Sequence, residues 1–489
     1  MNRLFIFIFI SFWFSGFSQI NKEVILTLEN AINLAKKQSP YSIKNKEAYE
    51  VSFWQNKSFM ADLLPQVSLS LKPFTYNRSI VKQFIPSQSL FGYFEQSSLN
   101  SDLTLTVQQN LAFSGGRIFF QSDFARLENL GDNKNLAFSS APVLLGINQP
   151  LFSFNSLKWN KILERQRFEI SKQDYLFNIE TTVLETVNLY FTLLEKQLDL
   201  SLYEKNYENS EKLFQLGKKR FELTTLNKAE MLTLKMEMLK SKDNAINAKL
   251  AHNAAKERLI SHLDFSEKME LNLEIPNNIV LEHIDIVKAL ELVRLNNPNY
   301  LSQKREEINA DMQIDRAKKT NGFQANIQAS LGFNQRAESI NQFYSDLLNQ
   351  EHVNASITIP IIDWKKRKSE VNLAMHRSNV IKSDNTIKRF NLEQNMIQNI
   401  ESFNFQKNTL SMTKATSEMA LEVYEINRKR FLLGKLDVNN LIISQNRKDS
   451  AIRENYKALR QYWEKYYLIR KMTLYNFETD TPLAVDFKN

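Results

Sequence analysis

The sequence predicts an α+β membrane protein made of two copies of one strand–helix unit. Three observations predict it: the halves of the chain resemble each other, helical stretches of great length follow short strands, and the strands alternate strictly between apolar and polar residues.

The duplication is direct. Leu26 to Pro40 (LTLENAINLAKKQSP) aligns without gaps on Ile284 to Pro298 (IDIVKALELVRLNNP), at an offset of 258 residues. Apolar residues coincide at Leu26/Ile284, Leu28/Ile286, Ala31/Ala289, Ile32/Leu290, Leu34/Leu292 and Ala35/Val293, and a proline ends each run. Lys219 to Leu232 (KRFELTTLNKAEML) aligns on Lys429 to Ile442 (KRFLLGKLDVNNLI) at an offset of 210, so the first half carries 48 more residues between these landmarks.

The elements follow in order. Arg3, the apolar run Leu4 to Phe14, and the small residues Gly16 and Ser18 before Gln19 make residues 1–18 a signal peptide, too short for the roughly 20 residues of a membrane span. Residues 19–264 form the first repeat and 284–472 the second, each opening with a helix of about 35 residues capped by Thr27 or Asp285. Strands follow near 65–77, where Val67, Leu69 and Leu71 alternate with polar residues, and near 323–334, where Ala325, Ile327, Ala329, Leu331 and Phe333 do so. Return strands near 142–151 and 354–362 leave the sheet at Pro150 and Pro360, because proline cannot donate to a ladder. Phe74, Tyr76, Phe91, Tyr93, Phe333, Phe343 and Tyr344 gather near strand ends, as in an interfacial girdle. The surplus of the first half reads as an extra hairpin near 102–128, turning at Ser114-Gly115-Gly116.

Long helices come next, over 156–222 and 226–264 in the first repeat and 365–433 and 437–472 in the second. Ser156 to Phe221 holds no proline and only Gly217, which at 1.5 Å per residue is on the order of 100 Å of helix. Tyr175, Ile179, Val183, Val187, Tyr190, Leu194 and Leu198 form one stripe, so helices of this length need coiled-coil-like partners. A linker (265–283) and a C-terminal tail (473–489) complete the chain.

Composition narrows the function. Ten Gly and ten Pro among 489 residues leave few turns, and 43% hydrophobic with 24% charged residues excludes both a disordered chain and a polytopic helical membrane protein. The net charge of +9 is spread among interleaved acidic residues, which reads as solvated helix surface, and no nucleic-acid motif accompanies it. Zero cysteines remove disulfides, thiolate metal sites and a lipidated N-terminal Cys. The five histidines form no HExxH and no GxSxG elbow is present, so neither an enzyme nor a cofactor or metal site is expected.

Beyond the signal peptide no stretch reaches 18 apolar residues, leaving a closed β-barrel as the route into a membrane. Four principal strands per chain cannot close one, since small barrels need about eight. Three copies would close twelve strands and leave no open edge, and the long helices would continue that trimeric β-barrel as an α-helical barrel. This is the architecture of a conduit.

The LTLENAINLAKKQSP opening, the QPLF segment at Gln149 to Phe152 before a long helix, and the RF-x-x-G element at Arg430 to Gly434 resemble the TolC family of outer-membrane efflux and secretion channels, over nearly the whole mature chain. The resemblance implies a homotrimer in outer-membrane lipid, a twelve-stranded barrel, a periplasmic helical barrel, and an equatorial domain that takes in the linker and the tail. It implies as partners a periplasmic adaptor protein and an inner-membrane pump of RND or ABC type, the pump selecting the cargo. It places the two matched turns at the periplasmic tip, with Phe221, Thr224, Phe431 and Gly434 in the adaptor-contact turns. Gly434 matches the family's tip glycine; Thr224 stands in its place in the first repeat. Asn440 and Ile443 occupy positions that are often acidic in the family, so Glu230 and Asp437 are the carboxylates left to line the gate. The competing reading, a secreted coiled-coil scaffold or adaptor without a channel, leaves the alternating strands unexplained.

Overall fold

A computed structural model describes residues 23–87, 89–130, 134–265, 270–276, 283–342 and 344–484. The expected signal peptide, Phe343 and parts of the linker and tail lie outside these residues. In chain order the elements are β1 (Glu23–Leu26), α1 (Leu28–Gln38), α2 (Pro40–Ala61), β2 (Gln66–Ile85), β3 (Leu90–Leu111), β4 (Gly116–Asn129), β5 (Asn135–Leu151), α3 (Ser156–Glu222), α4 (Lys228–Leu263), β6 (Glu270–Leu273), α5 (Ile286–Asn296), α6 (Pro298–Thr320), β7 (Gln324–Ala337), β8 (Leu348–Thr358), α7 (Lys366–Leu432), α8 (Val438–Thr473), β9 (Tyr475–Asn476) and β10 (Thr481–Pro482).

The repeats match element for element. α3 and α7 each have 67 residues, and α4 and α8 each have 36. α1 and α5 start 258 residues apart, α3 and α7 start 210 apart, and the whole surplus of the first half therefore lies in its strand region.

The opening helix of each repeat is not one helix of about 35 residues. Thr27 caps α1, its hydroxyl accepting from the Asn30 amide, and Ser39 then leaves helical geometry (φ −56°, ψ 137°). Pro40 does not end a helix but begins α2, and Pro298 begins α6 behind the Asn297 cap. Proline is tolerated there because the first-turn N–H it lacks would have no helical partner. Asp285 does cap α5, accepting from the Lys288 amide at 2.7 Å.

The described residues fall into two units, to both of which α3 and α7 contribute. One unit (46–177 and 290–396) holds an antiparallel six-stranded sheet in the order β2-β3-β4-β5-β7-β8. The expectation of four principal strands is corrected here. Strand polarity alone did not reveal whether the surplus hairpin joins the sheet; β3 and β4 do, pairing over their whole shared length from Leu111↔Gly116 to Ser98↔Asn129. The strands also run longer than the alternation suggested, β2 reaching Ile85 across a bulge between Lys72 and Thr75. Pro150 is paired with Asn326 one residue before β5 ends, whereas Pro360 lies two residues past β8.

Reading across the ladders separates the two faces. One row runs Asn110, Arg117, Asn148, Gln328, Asn354; the neighbouring row on the other face runs Gln109, Ile118, Ile147, Ala329, Val353. A further row of that second face is Val67, Val107, Phe120, Leu145, Leu331, ending on Glu351. Period-two alternation thus gives one largely apolar and one polar face across the sheet. The apolar side chains are open: Val67, Leu145, Leu331 and Val353 are between 54% and 76% exposed.

The other unit (residues up to 45, 178–289 and from 397) holds the rest of the long helices with two small strand pairs. β1 and β6 pair in parallel, so the linker contributes a strand, and β9 and β10 make the tail a small hairpin. The Tyr190 hydroxyl donates to the carbonyls of Leu26 and Glu274 at 2.9 and 2.6 Å, anchoring β1 and the end of β6 to α3. Phe403 packs on Tyr462 and Tyr466, and the Tyr466 phenol, buried, is pushed up to about 12. Beside it the buried Glu180 carboxylate receives Arg470 at 3.0 Å and Lys36 at 3.5 Å. Among the described residues no helix is long and apolar enough to cross a membrane.

Candidate functional site

The two turns singled out by the duplication join α3 to α4 and α7 to α8. Each uses one residue in the left-handed region: Thr224 (φ 58°) and Gly434 (φ 72°). The hydrogen bonds are the same in both. The amide of the left-handed residue returns to the carbonyl of Phe221 or Phe431, at 3.0 and 2.9 Å. The next amide returns to that of Arg220 or Arg430, at 2.9 Å in each. The turn geometry therefore survives the replacement of glycine by threonine, although a β-branched residue is poorly suited to positive φ.

Both return helices start on a polar cap. Asn227 accepts from the Glu230 amide at 2.8 Å while its own amide donates to the Glu230 carboxylate at 3.3 Å, a complete capping box. Asp437 accepts from the amide of Asn440 at 2.9 Å and from its side chain at 2.6 Å. These bonds from Asn440 hold the Asp437 carboxyl below the usual carboxylate range. Both carboxylates expected at the gate thus also serve the N-terminus of a helix, whose unpaired amides favour negative charge. Asn440 is exposed, and Ile443 is exposed one turn further on.

Behind the turns lies a core of Leu234, Tyr424, Phe431, Val438 and Leu441, flanked by Leu213, Phe214, Leu226, Leu436 and Ile442. Phe431 is only 2% exposed and is the floor on which the second turn stands. Phe221 is partly exposed. Gly217 lets α4 approach α3, since a Cβ there would strike the Leu234 side chain.

Arg220 fastens the two turns together. Its guanidinium donates to the Phe431 carbonyl at 3.2 Å and the Leu432 carbonyl at 3.0 Å, and lies 5.6 Å from the centre of the Phe431 ring. It thereby satisfies carbonyls at the C-terminus of α7, where a cation is favoured. Further along, a buried polar cluster ties α3 to α8: Asn206 donates to Asp449 at 2.6 Å, and Lys448 sits 3.0 Å from Asp449 and 4.5 Å from the centre of the Tyr424 ring. Burial pushes the Tyr424 phenol up.

Sequence reasoning missed Leu223 and Leu433. They precede the left-handed residues, occupy equivalent places in the two repeats, and are 71% and 70% exposed. The signal was present in the alignment of FELTT on FLLGK, where leucine repeats at one tip position.

Residues 120–263, from the fourth strand through the first helical hairpin, match the family described as outer membrane efflux protein. The fold of the chain also recurs in solved structures. The Campylobacter jejuni CmeC outer membrane channel is 13% identical with a TM-score of 0.66, over 94% of this chain and 87% of that one. The outer membrane protein VceC from Vibrio cholerae is 9% identical with a TM-score of 0.62, over 94% and 97%. The open-state Neisseria gonorrhoeae MtrE outer membrane channel is 13% identical with a TM-score of 0.58, over 91% and 88%. Comparison with curated proteins finds no match.

Proposed function

We propose that this chain is the outer-membrane duct of a tripartite efflux assembly, acting as a homotrimer with a periplasmic adaptor and an inner-membrane pump. The observation that carries this reading is the sheet whose rows alternate between Ile118-Ile147-Ala329-Val353 and Arg117-Asn148-Gln328-Asn354, with its apolar side left open among the described residues of its unit. One face suits lipid and the other water, and a sheet with open edges needs further copies to close in a bilayer. The duct moves solute passively. No catalytic group enters the reading.

The hairpin turns are the proposed adaptor and gate region. Leu223 and Leu433 offer exposed apolar contacts beside Thr224 and Gly434. Glu230 and Asp437, repeated in each copy about a narrow axis, supply negative charge that attracts cations, while Ile443 and Asn440 are uncharged. Purified protein reconstituted in planar bilayers tests the reading. Trimer-sized, heat-modifiable migration with discrete conductance steps is expected, and a monomer that leaves the bilayer silent overturns it. Glu230→Gln should lower cation selectivity; unchanged selectivity removes Glu230 from the gate.

A further inference from the structure

The sheet carries six wall strands, and we infer that the barrel closes with eighteen strands, β8 of each copy pairing with β2 of the next. The inference rests on the trimeric membrane duct proposed above.

First, the surplus hairpin has the properties of wall. β4 has 14 residues, enough for the roughly 9–11 that a tilted strand needs to cross a membrane. Its residues obey the facing of their neighbours, Phe120 standing between Val107 and Leu145 in the apolar row and Arg117 between Asn110 and Asn148 in the polar one. The hairpin is also bolted to the end of β5 and the chain that follows it: the Gln149 side chain donates to the Ser114 carbonyl at 3.0 Å, and that of Asn155 to the Ala112 carbonyl at 2.9 Å. Removing β3 and β4 from the wall would break the ladders on both sides of them.

Second, the strands are staggered as a membrane barrel requires. The row from Gln66 passes through Gln108, Phe119, Gly146 and Ser330 to His352, while β8 continues for six residues beyond, to Thr358. Six residues of rise over five strand spacings correspond to a tilt of about 40°, within the band of transmembrane barrels.

Third, the edges suit each other. Six is an even number, so β2 and β8 run in opposite directions and an antiparallel joint continues the alternation. Val67, Leu69 and Leu71 on β2 and Val353, Ala355 and Ile357 on β8 lie on the same face. At a strand spacing of 4.8 Å and this tilt, eighteen strands give a backbone radius of about 18 Å, against about 12 Å for twelve. The enclosed cross-section is then about 2.3 times larger, which suits bulky solutes.

The absence of cysteine makes the test clean. Single cysteines at Phe120 on β4 and, separately, at Leu331 on β7 are spin-labelled in the reconstituted full chain, and distances between copies are measured by pulsed electron resonance. Three-fold geometry predicts backbone separations of about 31 Å for eighteen strands and about 21 Å for twelve, after correction for the label arm. Both sites at the longer distance support the inference. The shorter distance at Leu331, or a Phe120 distance that departs from the Leu331 one, overturns it while leaving the trimer intact. No distance between copies at either site overturns the trimeric reading itself.

Discussion

Single residues at the tip and in the helical unit hold conformations or charges that invite direct tests. Thr224 takes a positive φ that Gly434 takes without strain. Thr224→Gly should raise stability by about 0.5–1 kcal/mol, relief of left-handed strain outweighing the added freedom of the unfolded chain, read as a higher midpoint in denaturant. A lower midpoint would mean that the threonine hydroxyl, which donates to Leu223, matters more than the strain. Glu180 is the opposite case. It neutralises Arg470 and Lys36 in the interior, so Glu180→Ala, leaving two cations behind, should cost about 3–5 kcal/mol. His262, against the Thr186 hydroxyl at 2.9 Å, is held below its ordinary value of 6.5 by burial, with Glu185 opposing. The unfolded chain therefore binds the extra proton as pH falls below 6.5. Stability from this residue is present above that pH and lost on acidification. In melting curves from pH 7.5 to 5, His262→Gln should flatten the decline relative to the unaltered chain.

At the scale of elements, what was legible followed from periodicity. The 3.6-residue stripe and the scarcity of proline gave α3 and α7 nearly to the residue, and the two gapless matches located both turns. The break at Ser39 was not legible, because Pro40 serves equally to stop one helix and to start another, and only the backbone at Ser39 decides. The capping box was legible in principle, since Asn227 and Glu230 have the required spacing, but that spacing alone does not say which residue starts the helix. Arg220 was invisible, as its carbonyl partners come from the other repeat. Arg220→Ala should loosen the turn between α7 and α8 by about 1 kcal/mol, part of the strength of hydrogen bonds to a charged group at a half-exposed site. Hydrogen exchange at residues 430–436 should quicken while the middle of α8 is unaffected; unchanged exchange would show that the Phe431 core alone holds the turn.

For the whole molecule, the decisive difference between the halves is strand number. Alternation identified wall-like strands but not their membership of one sheet, because a hairpin folded elsewhere could carry the same pattern. The ladder β3-β4 between β2 and β5 is a tertiary fact. It makes the duplication asymmetric in a way that can be reversed. Excising residues 90–129 joins β2 to β5 through the two existing loops and leaves four strands, with Val67 and Leu69 on the same face as Leu145 and Ile147. The helical hairpins and their turns are untouched by this deletion, so tip geometry and trimer-sized migration should persist. If each copy gives six strands to the wall, the shortened chain closes twelve, and open-state conductance limited by the barrel should fall about twofold with its cross-section. If β3 and β4 instead lie outside the wall, the deletion leaves the barrel, and its conductance, as they were.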